Sequence, residues 1–222
     1  MASASNSILL SKWTKVLLFL LCLVPLATII GNIFNHAYDA NPPQLLEHAT
    51  GDWTIRFLVF TLAVTPLRKT LHVPQLVRFR RMIGLFAFFY VCLHFTTYLW
   101  LDKFFTWSAI WDDLHKRPYI IAGFTGFVLL LPLAVTSTAG WIRRLGGKNW
   151  QRLHRAVYFA AIAGVIHYYW LVKSDVRKPL LYAALVGILL LWRLAAWLTS
   201  KGKGATASGG VRREIPPTAE TA

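Results

Sequence analysis

Residues 78–100, RFRRMIGLFAFFYVCLHFTTYLW, decide the fold that this sequence predicts. The segment opens with three arginines and continues as an unbroken apolar run. An α-helix needs about 20 such residues to cross the hydrocarbon core of a bilayer. The run does not alternate between apolar and polar residues, which argues against a membrane β-strand. The segment therefore predicts a transmembrane helix that begins at a basic cluster.

Similar runs occur along the whole chain of 222 residues, of which 56% are hydrophobic and 15% charged. Mean hydropathy is +0.48. The sequence predicts an all-α polytopic membrane protein, a six-helix transmembrane bundle over residues 13–199. A short N-terminal segment, residues 1–12, precedes it, and residues 200–222 have the composition of a disordered tail. The six spans are 13–30, 53–67, 82–100, 119–135, 150–172 and 180–198.

The net charge of +15 is distributed as orientation signals rather than as a nucleic-acid surface. Sixteen lysines and arginines fall before span one, after spans two and four, and in the tail, whereas six fall in the opposite connections. The positive-inside rule then predicts that both termini are cytoplasmic. The acids of the opposite connections would form an external docking surface: Asp39, Glu47, Asp52, Asp102, Asp112, Asp113 and Asp175.

Histidines are the polar residues that carry functional information inside the spans, because intramembrane ionisable groups are costly. His94 lies in the third span, and His154 and His167 lie in the fifth. At about 1.5 Å per residue, His94 and His167 reach comparable depths toward the outer side. Two imidazoles that face each other across a bundle can supply both axial ligands of a haem, a six-coordinate arrangement suited to electron transfer.

His154 lies thirteen residues before His167, a rise of about 20 Å that suits a second haem in the other leaflet. On an ideal helix the two side chains would point about 140° apart, and an irregularity at Gly164 would be one way to correct this. Three histidines that only form hydrogen bonds in the core remain the alternative interpretation.

Arginines near the span ends are candidates for binding haem propionates or quinone. Four lie on the predicted cytoplasmic side, where positive-inside anchors are the alternative, and one lies on the outer side, where it could snorkel instead. They are Arg80, Arg81, Arg152 and Arg155, and Arg56. Cys22 and Cys92 lie inside apolar runs and are interpreted as small core residues.

Four stretches resemble the haem-binding subunits of the bacterial protein-methionine-sulfoxide reductase system, within the ferric-reductase-like transmembrane family. They are residues 50–68 (TGDWTIRFLVFTLAVTPLR), 78–94 (RFRRMIGLFAFFYVCLH), 133–158 (LAVTSTAGWIRRLGGKNWQRLHRAVY) and 167–170 (HYYW). The resemblance extends over about residues 13–198. It implies haem ligands at His94, His154 and His167. The wider family has two histidines on each of two helices, but Arg80 and Arg81 stand where a second histidine of span three would fall.

The resemblance implies a b-type cytochrome of the bacterial inner membrane, with one or two haems, that takes electrons from the quinone pool. It would pass them to a periplasmic molybdopterin-containing catalytic subunit that reduces methionine sulfoxide in oxidised proteins. That subunit, not this chain, would carry the enzymatic reaction. FMN is a further cofactor that the family leaves open, although the sequence contains no flavin motif and no nicotinamide motif.

Two alternatives remain open from the sequence. The first is a ferric or oxygen reductase of similar fold that receives electrons from a cytoplasmic flavin reductase. The second is a membrane transporter or assembly factor. The absence of Asp and Glu from all six spans argues against a proton-coupled transporter.

Overall fold

The computed structural model describes residues 11–38 and 40–208, with side chains up to residue 200. Within these residues all regular structure is helical, and there are eight α-helices. A 3₁₀ turn (Pro74–Leu76) precedes the third, and a π-helical turn (Tyr98–Asp102) follows it. The α-helices are α1 (Lys12–Phe34), α2 (Pro42–Thr70), α3 (Val77–Thr97), α4 (Trp107–Lys116), α5 (Pro118–Val135), α6 (Ala139–Leu153), α7 (Ala156–Leu171) and α8 (Arg177–Ser208).

Each of the six predicted spans falls mainly on one of the long helices α1, α2, α3, α5, α7 and α8, and the fifth also includes the end of α6 and the turn after it. Four segments are long and apolar enough to cross a membrane: Lys12–Phe34, Pro74–Asp102, Pro118–Val135 and Arg177–Ser200. Helix α7 is equally apolar but shorter, with 16 residues. Helix α2 is long enough but carries charged residues. The structure thus confirms the all-helical membrane fold, and the count of six spans stays a prediction.

The long helices run alternately in opposite directions, which gives the bundle two chemically different ends. The end that contains the start of α3 and the end of α2 is called the basic end here, because Arg68, Lys69, Arg80 and Arg81 lie there. Helices α2 and α3 pack extensively against each other, as do α5 and α7. Gly126 of α5 lies against Ala160 and Gly164 of α7, and such small residues let two membrane helices approach closely.

Helix α2 illustrates how polar groups are accommodated in this apolar bundle. Pro42 and Pro43 open it, where the missing amide hydrogens cost nothing, and basic residues occupy its last turn. The buried hydroxyls of Thr50, Thr54 and Thr61 donate to the carbonyl oxygens four residues earlier, at 2.7, 2.9 and 2.7 Å. Each hydroxyl is therefore satisfied within its own helix.

Helix α1 is joined to the bundle at its proline. Pro25 interrupts the hydrogen-bond pattern of α1. The hydroxyl of fully buried Tyr90 on α3 donates to the carbonyl of Cys22 at 2.9 Å and accepts from the amide of Leu26 at 3.0 Å. One side chain of α3 thereby satisfies both backbone groups of the neighbouring helix.

The predicted fifth span, residues 150–172, is not one continuous helix. Helix α6 ends at Leu153 and α7 begins at Ala156, with a turn at His154 and Arg155. The amide of Arg155 bonds the Arg152 carbonyl, and the indole of Trp150 donates to the Thr136 carbonyl at 2.9 Å. The irregularity therefore lies at His154 rather than at Gly164, and the 140° angle calculated for an ideal helix does not apply.

Helix α8 continues to Ser208, eight residues beyond the boundary at which the sequence predicted the tail to begin. Extending an existing helix costs far less than starting one, so a polar segment can follow an apolar span without a break. Residues 1–10, residue 39 and residues 209–222 lie outside the described residues.

Candidate functional site

His94 of α3 and His167 of α7 meet at the end of the bundle opposite the basic end. Their ring centres lie 6.0 Å apart, and the ring planes are inclined by 78°. Two metal–nitrogen bonds of about 2 Å and two half-rings of about 1 Å add up to roughly 6 Å between ring centres. The separation therefore matches two imidazoles on opposite sides of one metal ion.

The same nitrogen of both rings is engaged by the backbone. His94 Nδ1 lies 3.0 Å from the carbonyl oxygen of Glu47, and His167 Nδ1 lies 2.7 Å from that of Tyr119. A carbonyl oxygen can only accept, so each Nδ1 carries the hydrogen and donates it. Each Nε2 then keeps its lone pair, which is the state of a histidine that ligates a metal.

Two glycines make room for the imidazole rings. A Cβ atom at Gly123 would lie 2.7 Å from Nδ1 of His167, and one at Gly51 would lie 3.2 Å from Cε1 of His94. The first distance is shorter than any ordinary contact, and the second is tight. Since the rings cannot retreat without losing their carbonyl partners, these helix positions require glycine.

A cavity of about 1080 Å³ adjoins both histidines and has a mainly apolar lining. Its volume is that of a site for a large planar cofactor. Leu58, Val91, Phe127, Leu130 and Ala160 lie along it toward the middle of the bundle. Paired imidazoles with free Nε2 atoms, glycine-lined approaches and an apolar cavity together fit a haem.

Helix α4 and the turn before it cover this cavity. Residues of α4 line it on one side. Beneath them, the ammonium of Lys103 lies 2.7 Å from Asp113 and 2.9 Å from Asp102, with only 12% of the Lys103 side chain exposed. Burial alone would lower the pKa of Lys103, but the hydrogen bonds that Lys103 donates to Asp113 and Asp102 outweigh burial and raise that pKa. The ion pairs connect α4 to the turn that precedes it.

Glu47 lies on the first turns of α2, before the predicted span, and also lines the cavity. One of its carboxylate oxygens, Oε1, is buried without a hydrogen-bond partner. Burial, reinforced by the nearby Asp102 carboxylate, raises the pKa of Glu47 to about 7. Its side chain is thus the polar group of the cavity that protein contacts leave unsatisfied.

His154 is not brought to the other two histidines. It lies at the basic end, its ring stacked on Trp150 with centres 3.9 Å apart. Its Nε2 lies 3.2 Å from the hydroxyl of Thr136, which itself donates to the Pro132 carbonyl at 2.6 Å. That hydroxyl must accept from His154, so Nε2 carries the hydrogen, the reverse of the state of His94 and His167.

The five candidate arginines fall into three situations. Arg56 lies 3.5 Å from Asp52, donates to the Tyr182 hydroxyl at 3.1 Å and stacks on Trp53. Arg80 is half-buried. The remaining three, Arg81, Arg152 and Arg155, are exposed.

Comparison with known proteins identifies the family of this chain. Residues 50–165 match the family described as "Ferric reductase like transmembrane component". A protein of Herminiimonas arsenicoxydans is 48% identical over 186 residues, covering 82% of this chain and 85% of that protein. Its name is "Protein-methionine-sulfoxide reductase heme-binding subunit MsrQ". This chain belongs to the MsrQ family.

Two further relatives carry the same name. One, from Caulobacter vibrioides, is 48% identical over 178 residues, covering 80% of this chain and 85% of the relative. Another, from Xanthomonas oryzae pv. oryzae, is 43% identical over 225 residues and covers 99% of both chains. The family resemblance identified from the sequence is thereby confirmed, and it extends beyond the apolar spans.

Sequence reasoning missed three features of the functional regions. Gly51 and Gly123 each lie inside a helix, and a glycine at such a position is a recognisable sign of close packing. Arg193 lies inside the predicted sixth span, where any ionisable residue is a functional candidate. The backbone carbonyls that orient the two histidines leave no trace in the sequence.

Proposed function

We propose that this protein is a membrane electron-transfer subunit in which His94 and His167 are the axial ligands of a b-type haem. The observation that carries the proposal is the pair of rings 6.0 Å apart, each with Nδ1 held by a backbone carbonyl. The names of the MsrQ relatives, which describe them as heme-binding subunits, support it.

A haem so bound supplies one-electron chemistry at its iron. The chain positions it: the carbonyls of Glu47 and Tyr119 fix the tautomer and orientation of the two ligands. With both histidines as its ligands, a haem would leave no position on the metal open to substrates. The mainly apolar lining of the cavity would keep the haem in surroundings of low polarity, which tune its reduction potential.

The proposed route takes electrons from membrane quinol to a molybdopterin-containing methionine sulfoxide reductase catalytic subunit in the periplasm. In the proposed orientation both termini would lie in the cytoplasm, and the histidine pair would lie near the periplasmic surface of the inner membrane. The lysine and arginine distribution supports this orientation. A haem near the exit side would be well placed to reduce a partner docked on the acidic loops.

A second haem would have His154 as a ligand at the basic end. For that, the Nε2 atom of His154 must give up its bond to Thr136, or Nδ1 must ligate. One haem at the His94–His167 pair is therefore the core of the proposal, and His154 is the candidate ligand for a further one.

The test is an absorption spectrum of the full chain purified in detergent, with haem titrated per chain. We expect a Soret band in the wild type and its loss in His94→Ala and His167→Ala. His115→Ala, which changes an exposed histidine of α4, is the matched control and should keep the band. A haem content per chain that is unchanged in both ligand variants would refute the assignment.

The electron donor is tested on the same preparation. A quinol and a cytoplasmic-type flavin reductase are supplied separately, and haem reduction is followed spectroscopically. The proposal expects reduction by quinol. Reduction by the flavin reductase alone would favour the ferric- or oxygen-reductase alternative. Flavin fluorescence released on denaturation reports whether FMN is bound.

A further inference from the structure

A second polar cluster lies at the basic end, where helices α3, α7 and α8 meet. Arg193 of α8 donates to the hydroxyl of Tyr158 on α7 at 2.7 Å and to the carbonyl of Leu62 at 2.7 Å. Arg80 of α3 also hydrogen-bonds the Tyr158 hydroxyl. One phenol oxygen thus connects two guanidinium groups.

The cluster is positively charged and has no carboxylate within the described side chains. The positive charges of Arg193 and Arg68 both repel the charge of Arg80. The acids with described side chains all belong to the opposite end: Glu47, Asp52, Asp102, Asp112, Asp113 and Asp175. Two half-buried guanidinium groups in contact with the same hydroxyl repel each other, and an anion would relieve this repulsion.

Arg193 also has an unused donor. Its Nε is buried without a hydrogen-bond partner, although both terminal nitrogens are engaged. A buried unpaired donor on a charged group costs free energy until an acceptor reaches it. A phosphate or carboxylate oxygen is the acceptor that guanidinium groups bind best.

The position of the cluster indicates where the anion comes from. Arg193 lies five residues before the predicted end of its span, about 7.5 Å along the helix axis. Phe159 and Leu194, which directly follow Tyr158 and Arg193, are 65% and 50% exposed on the surface of the bundle. The cluster therefore lies next to the lipid-facing surface, at the level where arginine side chains reach the headgroups.

We infer that Arg80, Tyr158 and Arg193 form a binding site for the phosphate of an anionic phospholipid, of the phosphatidylglycerol class, between α3, α7 and α8. Basic pockets between transmembrane helices on the positively charged side are a known way to bind such headgroups. The site is separate from the histidine pair and does not depend on the proposed electron transfer.

The experiment uses the full chain in neutral detergent and native mass spectrometry, with phosphatidylglycerol or phosphatidylcholine added. We expect the wild type to bind phosphatidylglycerol at least tenfold more tightly than phosphatidylcholine. Arg193→Gln and Arg80→Gln should each weaken phosphatidylglycerol binding about tenfold or more. Arg144→Gln removes an exposed charge of α6 at the same end and should leave binding unchanged.

Four outcomes would overturn the inference. Equal binding of the two lipids by the wild type would show that the site does not prefer an anion. An equal effect of all three glutamine variants would show that binding depends only on the net charge of the protein. Displacement of the lipid by millimolar inorganic phosphate would make this a free-phosphate site. Loss of haem in Arg80→Gln and Arg193→Gln without loss of lipid would assign the cluster to a propionate. Arg193→Lys, which keeps the charge, controls for misfolding.

Discussion

His94 and His167 lie with their ring centres 6.0 Å apart, and each donates from Nδ1 to a backbone carbonyl of a different helix. Four helices thus cooperate on two imidazoles: α3 and α7 supply the rings, whereas α2 and α5 supply the carbonyls. The orientation of each ring is fixed by a helix other than its own. Any change that shifts α2 or α5 should therefore alter the orientation of the His94 or His167 ring.

Alanine at Gly123 is expected to disturb the pair more than alanine at Gly51. The added Cβ would lie 2.7 Å from His167 in the first case and 3.2 Å from His94 in the second. We expect Gly123→Ala to lower the haem content of the purified protein and to shift the midpoint potential of the remaining haem, and Gly51→Ala to do so less.

Gly187→Ala is the matched control for these variants, because a Cβ there meets nothing within 4 Å. It should leave haem content unchanged and, as alanine in a helix, stabilise the protein by up to about 1 kcal/mol. Thermal denaturation of the haem-free protein separates simple misfolding from a displaced ligand. Full haem loading of Gly123→Ala would contradict the close contact.

Replacement of His154 by alanine should leave the haem of the His94–His167 pair in place. His154 lies about 20 Å from His167 along the helix axis. Its own contacts are a hydrogen bond with Thr136 and the stacking of its ring on Trp150. We expect the Soret band to persist in His154→Ala. Haem titration then shows whether the number per chain falls by one, as a second haem on His154 requires. Complete loss of the band would contradict separate sites.

The ion pairs beneath α4 should contribute to stability. Removing one partner of a buried pair leaves the other charge uncompensated, at a cost of about 3 kcal/mol. We expect Lys103→Met to lower the melting temperature clearly, since Lys103 and Asp113 are 12% and 10% exposed. Lys116→Met breaks the exposed pair with Asp112, with 71% and 63% exposure, and should hardly change the melting temperature. Equal melting shifts would mean that the cover does not depend on Lys103.

The Tyr90 hydroxyl should hold α1 against the bundle. Tyr90→Phe leaves the Leu26 amide and the Cys22 carbonyl without their partner, a loss of about 1–3 kcal/mol. In a Cys92→Ala background, a membrane-permeant maleimide should label buried Cys22 on the order of tenfold faster after this substitution. Tyr169→Phe, at a tyrosine that is 47% exposed, is the control and should not change the labelling rate.

The sequence by itself predicted an all-helical membrane fold, because span length and hydrophobicity depend only on local composition. It also placed His94 and His167 at matching depths, since helical rise per residue is constant. The pairing predicted from this depth agrees with the contact in the structure.

Only the tertiary structure decided what the imidazole nitrogens bond to, because the carbonyls of Glu47 and Tyr119 come from other helices. It also placed the helix break at His154, where the Trp150 indole reaches back to the Thr136 carbonyl, rather than at Gly164. Arg193 illustrates both the contribution of the sequence and that of the tertiary structure. The sequence places a charge inside a span, but which groups surround that charge depends on how the helices pack.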